Sequence, residues 1–217
     1  MGGPCLLRPE AAGAASRASA KATVGPACTD NFQAAPFLVD GLEYQSVEQW
    51  YQVTKFAEEG AREKIRLVQR KAGENDSAYG VRVWQAAQSK KTAQKRPDFE
   101  AVKLEIMYIG MRAKYTQHPE FQPELLATGD LDIEGGPSTS WKAHGGREHK
   151  WQYWNGRIQM RIREELRPPS ERRPGLLEEL EAEFAEYLAN GGGPRLPLPG
   201  RPEEIGLGAA VAASAAT

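Results

Sequence analysis

The first residues that could do chemistry are Glu48, Gln52 and Lys55, which lie in a segment rich in apolar and aromatic side chains. At about 100° per residue, the three fall within one narrow stripe of a helix whose remaining circumference is largely apolar. Such a helix is buried, and a buried helix rarely carries charge without a partner. The stripe therefore indicates either a polar pocket inside the fold or a solvated helix face. The flanking Tyr51 and Phe56 weigh against the solvated face, and both interpretations stay open here.

A second concentration of candidate residues lies between residues 128 and 163. Five glycines between residues 129 and 146 make the backbone permissive, as ligand-binding loops often need. Aromatic planes with interleaved cations, which also occur here, suit the binding of a base and a phosphate. The alternative is that the tryptophans belong to the core and the cations are solvated. The aromatic residues are Trp141, Trp151, Tyr153 and Trp154.

Metal and cofactor chemistry finds little support in the sequence. The two cysteines, Cys5 and Cys28, both lie near the N-terminus, and the histidines are His118, His144 and His149. A structural zinc site needs about four ligands at characteristic spacing, which these residues do not supply. The motifs G-x-x-x-x-G-K-[ST], G-x-G-x-x-G and H-E-x-x-H are also absent. We therefore expect no metal and no cofactor.

The composition limits the class of protein. A chain of 217 residues fits one domain with tails, and 40% hydrophobic with 26% charged residues is typical of a globular protein. The formal net charge of −1 excludes binding to nucleic acid by bulk positive charge, although not by a local basic patch. Because no stretch of about 18 apolar residues occurs, we predict no association with a membrane through a spanning segment.

The elements that must position the candidate residues are mostly helices. Two short extended runs around Asp40-Gly41 predict a hairpin. Ser46 and Gln49 then match a capping box, which predicts a helix from there to about residue 59. Further segments have helical or extended patterns, so we predict a mainly α fold with a small β-hairpin element. The helical patterns cover about 61–72, 77–91, 98–115, 123–127, 155–166 and 176–188, and the extended piece is 131–134.

The two ends of the chain differ from its body in composition. Residues 1–30 are an acid-poor stretch rich in Ala, Gly and Ser, which indicates either an organelle transit peptide or a disordered tail. We expect a folded domain over 31–167, an amphipathic helix within 168–190 and a disordered tail over 191–217. The chain is interpreted as intracellular, and as cytoplasmic unless residues 1–29 direct it to a plastid or mitochondrion.

Read together, four segments resemble the NADAR domain family, also called YbiA-like. Their order and spacing hold over about residues 31–166, and four matches in order are far more specific than any one of them. The segments are FLVDGLEYQSVEQWYQVTKF at Phe37–Phe56, RPDFEAVKLEIM at Arg96–Met107 with RAKYTQHP at Arg112–Pro119, LLATGDLDIE at Leu125–Glu134, and WNGRIQMRIR at Trp154–Arg163.

The resemblance implies a mainly helical fold and an N-glycosidase. Family members hydrolyse the bond between a ribose phosphate and an amino-pyrimidine in early riboflavin intermediates, and others remove ADP-ribose from modified guanine. Neither reaction needs a metal or a redox cofactor. Departure of the base builds positive charge on the sugar, which a buried carboxylate stabilises, and a carboxylate can also activate the attacking water.

The resemblance also implies roles for particular residues. Glu48 matches the helix glutamate of the family and is the first catalytic candidate, and Glu134 is the second. Lys55 and Arg96 match family cations that would hold phosphate, while an Asn-Phe pair would line the pocket mouth. Together with the polar stripe and the aromatic loop, the residues expected to bind substrate are Asn31, Phe32, Gln52, Lys55, Arg96 and Trp141.

The sequence departs from the family pattern in places. Ser138 stands where an Asp is typical, Lys142 follows Trp141 in place of a Gly, and residues 21–30 show no apolar strand. An alternative therefore stays open, in which the chain is a catalytically impaired module that binds an ADP-ribose-like or NAD-like ligand. The expected partner is a small ribose-phosphate-linked or ADP-ribose-linked base, with nucleic acid entering only as a modified-base substrate. The helix at 176–188 is either packed against the domain or free to bind a protein.

Overall fold

The computed structural model describes residues 2–9, 21–143 and 145–191, together with Leu196 and Leu198. Within these residues the chain forms seven α-helices and three small antiparallel sheets, which confirms the prediction of a mainly α single domain with a small β element. None of the described helices is long and apolar enough to cross a lipid bilayer. The helices are α1 (Val47–Thr54), α2 (Glu59–Arg66), α3 (Asp76–Gln88), α4 (Phe99–Gln117), α5 (Gln122–Leu126), α6 (Trp151–Leu166) and α7 (Leu176–Asn190).

The strands are short and belong to three separate sheets. In the first sheet β1 lies between β2 and β5, whereas β3 pairs with β4 and β6 pairs with β7. The β3–β4 hairpin turns at Asp40-Gly41, as the sequence predicted, and Asp40 has a positive φ of 50°. The strands are β1 (Leu6–Arg8), β2 (Thr23–Val24), β3 (Phe37–Val39), β4 (Leu42–Tyr44), β5 (Asp132–Glu134), β6 (Ser140–Ala143) and β7 (Arg147–Lys150).

Helix α1 begins where the capping box predicts. The Ser46 hydroxyl accepts a hydrogen bond from the Gln49 amide at 3.2 Å, while the Gln49 side chain accepts from the backbone N–H of Gln45 at 2.7 Å. All eight residues of the helix are buried. The helix ends at Thr54 instead of residue 59, because the chain after it turns to bond with a distant segment, the Ala57 amide donating to the Gln94 carbonyl.

Close packing between α1 and α4 fixes the centre of the core. Trp50 on α1 is completely buried, and its indole N–H donates to the Ile106 carbonyl at 2.6 Å. A Cβ atom added to Gly110 on α4 would collide with the Trp50 ring, so a glycine is needed for this approach. Because α4 also carries residues of the candidate site, this contact sets the position of α4 relative to the α1 polar stripe.

The N-terminal segment differs from the predicted disordered tail in residues 2–9 and 21–30. Strand β1 pairs with β5, and the side chains of Cys5 and Cys28 are buried as free thiols. The order of this segment comes from hydrogen bonds with a strand more than 120 residues away and from burial against the domain, neither of which local composition reveals. Residues 10–20, on which the transit-peptide interpretation partly depends, lie outside the described residues.

The segment before α6 is more regular than the loop predicted from its glycines. Strands β6 and β7 form a hairpin, with Gly145 and Gly146 at positive φ in its turn. Helix α6 then begins at Trp151, four residues earlier than expected, because its first turn continues directly from β7. The hairpin places Trp141 and Trp151 side by side, with ring centroids 4.7 Å apart.

Helix α7 is packed against the domain. Its buried face contacts α4 and α6 and consists of Leu176, Leu180, Phe184 and Tyr187. Within residues 191–217, the predicted C-terminal tail, the structure describes only Gly191, Leu196 and Leu198. The Leu196 amide donates to Asp98 at 2.8 Å, so this one residue is held against the start of α4. The remainder of the predicted tail lies outside the described residues.

Candidate functional site

A cavity of about 310 Å³ opens where α1, α3, the start of α4, strand β6 and the start of α6 meet. Glu48, Gln52 and Lys55 of the polar stripe all line it, and Trp141 closes the opposite side. Of the two interpretations left open by the sequence, the structure therefore agrees with a polar pocket inside the fold. The residues that form the stripe are positioned by α1, whose apolar remainder is embedded in the core.

Glu48 is the most deeply buried carboxylate of the pocket, with no exposed surface. Its Oε1 accepts a hydrogen bond from the Gln52 side-chain amide at 2.8 Å, whereas its Oε2 has no hydrogen-bond partner among the described residues. Burial raises the pKa of the Glu48 carboxyl above its ordinary value, because the charged form loses its hydration. A raised pKa makes the protonated form of the carboxyl more accessible, which suits a group that takes up and releases a proton.

Two further buried polar atoms next to Glu48 also lack partners within the described part of the chain. They are Oδ1 of Asn31 and Oε1 of Gln52. Asn31 is joined to the stripe by its carbonyl, which accepts from the Glu48 amide at 2.9 Å. Leaving a buried polar atom unpaired costs about 1–3 kcal/mol. Two of these three atoms, on Glu48 and Gln52, belong to residues that line the pocket, which indicates a place where a polar ligand completes the hydrogen bonds.

Three lysines make the pocket attractive to an anion. Lys55, Lys95 and Lys103 all line it. The Lys103 ammonium is ion-paired with Glu100 at 2.6 Å and lies 4.1 Å from the centroid of the Trp141 ring. Burial lowers the pKa of Lys55, and the nearby lysine charges lower it further, while burial also lowers the pKa of Lys103. An anionic ligand group would reduce this mutual repulsion, so binding of phosphate is electrostatically favourable.

Aromatic rings form the remaining walls of the pocket. The Tyr51 ring lies edge-on to Trp151 at 5.4 Å and contacts Phe99 at 5.5 Å. These rings are well packed and give the pocket a rigid apolar side. Trp84 on α3 differs from them because 45% of its surface is exposed although it lines the pocket. An exposed indole at the mouth can stack on a planar heterocycle that projects from the pocket.

Four of the residues predicted for the site do not line the pocket. Glu134 does not line the pocket, and its carboxylate pairs with Arg8 at 2.6 Å and accepts from Gln152 at 2.8 Å. Arg96 is also absent from the lining, because its guanidinium is bound to Asp98 at 2.9 Å and to the Leu196 carbonyl.

Phe32 is a packing residue in the structure. Its side chain is buried, and Cβ atoms added at Gly2 or Gly80 would collide with its ring. The two residues expected to line the pocket mouth as a pair therefore lie in different environments. Asn31 contacts the polar stripe through its backbone, and Phe32 fills the space between the N-terminal segment and α3.

Lys95, Lys103, Glu100 and Trp84 were missed when the site was predicted from the sequence. Lys103 had a signal, since it lies within the second family-like segment on a helix whose neighbouring residues are apolar. The others had none, because nothing in the sequence distinguishes them from residues on a solvated face. Ser138 and Lys142, where the sequence departs from the family, are exposed and do not line the pocket.

A metal site was not expected, and the described residues contain no group of three or more His, Cys, Asp or Glu side chains arranged to hold an ion. His149 is buried with its ring stacked on Trp141 at 5.5 Å. His144 lies outside the described residues.

The chain belongs to the NADAR domain family, which matches residues 17–167, more than half of its length. This confirms the resemblance seen in the sequence. N-glycosidase YbiA of Escherichia coli strain K12 is 32% identical over 137 residues, which are 63% of this chain and 79% of that protein. A riboflavin biosynthesis protein of Vibrio vulnificus is 30% identical over 137 residues, but these are only 34% of its length. The NMR structure of E. coli YbiA aligns with a TM-score of 0.44 and 25% identity, covering 74% of this chain and 79% of that one.

Proposed function

We propose that the protein is an N-glycosidase that hydrolyses the bond between a ribose phosphate and a base. The observation that carries the proposal is the buried Glu48 carboxyl, whose Oε2 is unpaired among the described residues and which shares a pocket with three lysines. Relatives at about 30% identity are named N-glycosidases or riboflavin biosynthesis proteins. These names support the reaction class and favour an amino-pyrimidine riboflavin intermediate as the substrate.

The proposed mechanism uses few residues. The phosphate binds to the lysine side of the pocket, where Lys55 and Lys103 supply positive charge. Glu48, once ionised, opposes the positive charge that builds on the ribose as the base departs with the bonding electrons. A water molecule attacks the anomeric carbon and gives a proton to Glu48, the departing base takes up one proton from solvent, and Glu48 returns one proton to solvent when it ionises again. The products are ribose 5-phosphate and the free base, so atoms and charge balance.

The aromatic residues would hold the sugar and base in place. Tyr51 and Trp151 form a rigid wall beside Glu48, which fits the need to keep the reacting carbon near the carboxylate. Trp84 at the mouth provides a surface on which the base stacks. Gln52 holds one oxygen of Glu48 at 2.8 Å and thereby orients the other towards the ligand.

An ADP-ribosylated base is the second substrate class, and a module that only binds such a ligand is the alternative function. The exposed face of Trp84 favours the larger substrate, because it can support a group that extends beyond the pocket. Ser138 and Lys142 are exposed and lie outside the pocket lining, so their side chains do not obstruct the pocket of an active enzyme.

The proposal is tested by incubating the purified protein with three substrates. These are a ribose-phosphate-linked amino-pyrimidine, an ADP-ribosylated guanine base in DNA, and an unmodified nucleoside 5′-phosphate as the control. Release of ribose 5-phosphate or ADP-ribose is followed by mass spectrometry. We expect release from the first substrate by the wild type and none by the Glu48→Gln variant. Binding of a substrate without any release would refute the enzyme and leave the binding module.

A further inference from the structure

Helix α7 lies beyond the residues 17–167 that match the family, and its Tyr187 contacts residues of the pocket lining. Tyr187 is 3% exposed and is surrounded by the rings of His149 and Trp154, at centroid distances of 5.0 Å and 5.5 Å. Its ring does not line the pocket itself. Its hydroxyl, however, contacts two groups that belong to residues in the lining.

Among the described residues, the hydroxyl of Tyr187 takes part in two hydrogen bonds, as the donor in one and the acceptor in the other. It donates to the backbone carbonyl of Glu100 at 2.6 Å, and it accepts from the indole N–H of Trp141 at 3.1 Å. The first bond reaches the opening turn of α4, and the second reaches strand β6. One oxygen atom therefore ties together two elements that approach the pocket from different parts of the chain.

Both bonded residues also contact the same ammonium group. The Glu100 carboxylate lies 2.6 Å from Nζ of Lys103, and the Trp141 ring centroid lies 4.1 Å from it. A long lysine side chain has several rotatable bonds, so its ammonium has a fixed position only when the groups around it are fixed. The Tyr187 hydroxyl restrains the Trp141 indole directly, and it restrains the Glu100 carboxylate through the backbone of that residue.

We propose that Tyr187 is a positioning residue, which holds Glu100 and Trp141 so that they present the Lys103 ammonium to an anionic group of the ligand. The identification of this group as the phosphate of a ribose 5-phosphate unit rests on the proposed function. Helix α7 is then an addition to the family domain that completes the anion-binding side of the pocket.

The test uses Tyr187→Phe, which removes one oxygen atom and keeps the ring. Tyr108→Phe is a matched control, because the Tyr108 hydroxyl donates to Glu165 at 2.7 Å and its ring contacts Phe184 of α7, away from the pocket. We expect the Kd of ribose 5-phosphate, measured by calorimetry, to rise about threefold to tenfold in Tyr187→Phe, on the scale of one hydrogen bond. In Tyr108→Phe the Kd should stay within about twofold of the wild type.

A double-mutant cycle separates positioning from general packing. If Tyr187 acts through Lys103, then Tyr187→Phe should change the Kd by less than about twofold in a Lys103→Met background. An equal loss of affinity in both backgrounds, or an equal loss in Tyr108→Phe, would overturn the proposal. Wild-type Kd in Tyr187→Phe would overturn it as well.

A second measurement requires no ligand and is independent of the proposed function. Competitive labelling with acetic anhydride, read by mass spectrometry, gives the reactivity of Lys103 relative to the exposed Lys64. We expect Lys103, which is 4% exposed, to react faster in Tyr187→Phe and at the wild-type rate in Tyr108→Phe. Unchanged reactivity in Tyr187→Phe would refute the positioning role. If the wild type fails to bind ribose 5-phosphate, the proposed substrate class is refuted, and labelling alone then decides the positioning role.

Discussion

Replacing Glu48 by Gln should abolish activity and at the same time make the protein more stable at neutral pH. The change keeps the side-chain volume, and the new amide oxygen can still accept the hydrogen bond from Gln52. Only the ability to ionise is lost. Removal of one acid–base or preorganised electrostatic group lowers kcat by about 10²–10³-fold. We therefore expect product release to fall by at least about a hundredfold.

The stability effect follows from the buried position of the carboxyl. Burial raises the folded-state pKa of Glu48 above its ordinary value near 4.5, so ionisation costs the folded state free energy. Because the pKa is higher in the folded state than in the unfolded state, the protonated carboxyl stabilises the fold at pH values below the unfolded pKa. This stabilisation is lost as the pH rises through the folded pKa. The glutamine cannot ionise and does not incur this loss. The variant should therefore gain stability relative to the wild type as pH rises from about 5 to 8.

The gain can be followed through the melting temperature. A difference of about 1 kcal/mol moves the Tm of a domain of this size by roughly 2–4 °C, so even a small gain is measurable. The variant should melt above the wild type at pH 8, and the difference should shrink as the pH falls to 5. Thermal unfolding of both proteins at pH 5, 6, 7 and 8 measures the difference. Glu178→Gln, at an exposed position on α7, is the control and should show no pH-dependent gain. A variant that loses stability with rising pH, or that keeps its activity, would refute the reasoning.

Three other variants test the pocket and the core. Lys55→Met should raise KM for a ribose-phosphate substrate about tenfold or more while kcat changes little, because it removes a charge that binds phosphate. Steady-state kinetics measures both constants. A fall in kcat with an unchanged KM would show that Lys55 acts in the chemical step. Glu134→Gln should keep kcat within about threefold of the wild type, because the Glu134 carboxylate pairs with Arg8 outside the pocket. Urea unfolding should show a loss of stability of at most about 1 kcal/mol, because this ion pair is partly exposed to solvent. A hundredfold loss of kcat would return Glu134 to the catalytic site. Gly110→Ala should lower the free energy of unfolding, measured in urea, by roughly 1–3 kcal/mol, because the added methyl group collides with the Trp50 ring. An unchanged unfolding midpoint would show that α1 and α4 can move apart without cost.

The helical framework could be predicted because its signals are local. The capping box at Ser46 and Gln49, together with the apolar circumference that follows, determines where α1 begins and that it is buried. Strand β1 could not be predicted in this way. Its three residues have no pattern of their own, and they become a strand only by pairing with β5. Where a segment owes its structure to a distant partner, the sequence of the segment is not informative.

The candidate site shows the same division. The α1 stripe was predictable since all of its residues lie on one helix and the geometry of that helix fixes their common direction. Arg96 was misplaced because its residue type suits phosphate, although it pairs with Asp98 only two residues away. Lys95, the residue beside it, reaches the pocket instead. The type of a residue indicates which ligand it can bind, but the backbone direction at that position decides which ligand it meets.

The complete burial of α1 has a consequence for how such a protein can change over time. A helix with no solvent-exposed position offers no residue whose replacement is without cost to folding. This helix also supplies Glu48 and Gln52 to the pocket, and the residue that follows it supplies Lys55. Selection for folding and selection for chemistry therefore act on the same eight or nine residues. New substrate preferences are expected to arise at the pocket positions supplied by α3 and β6, which border the pocket and also reach solvent.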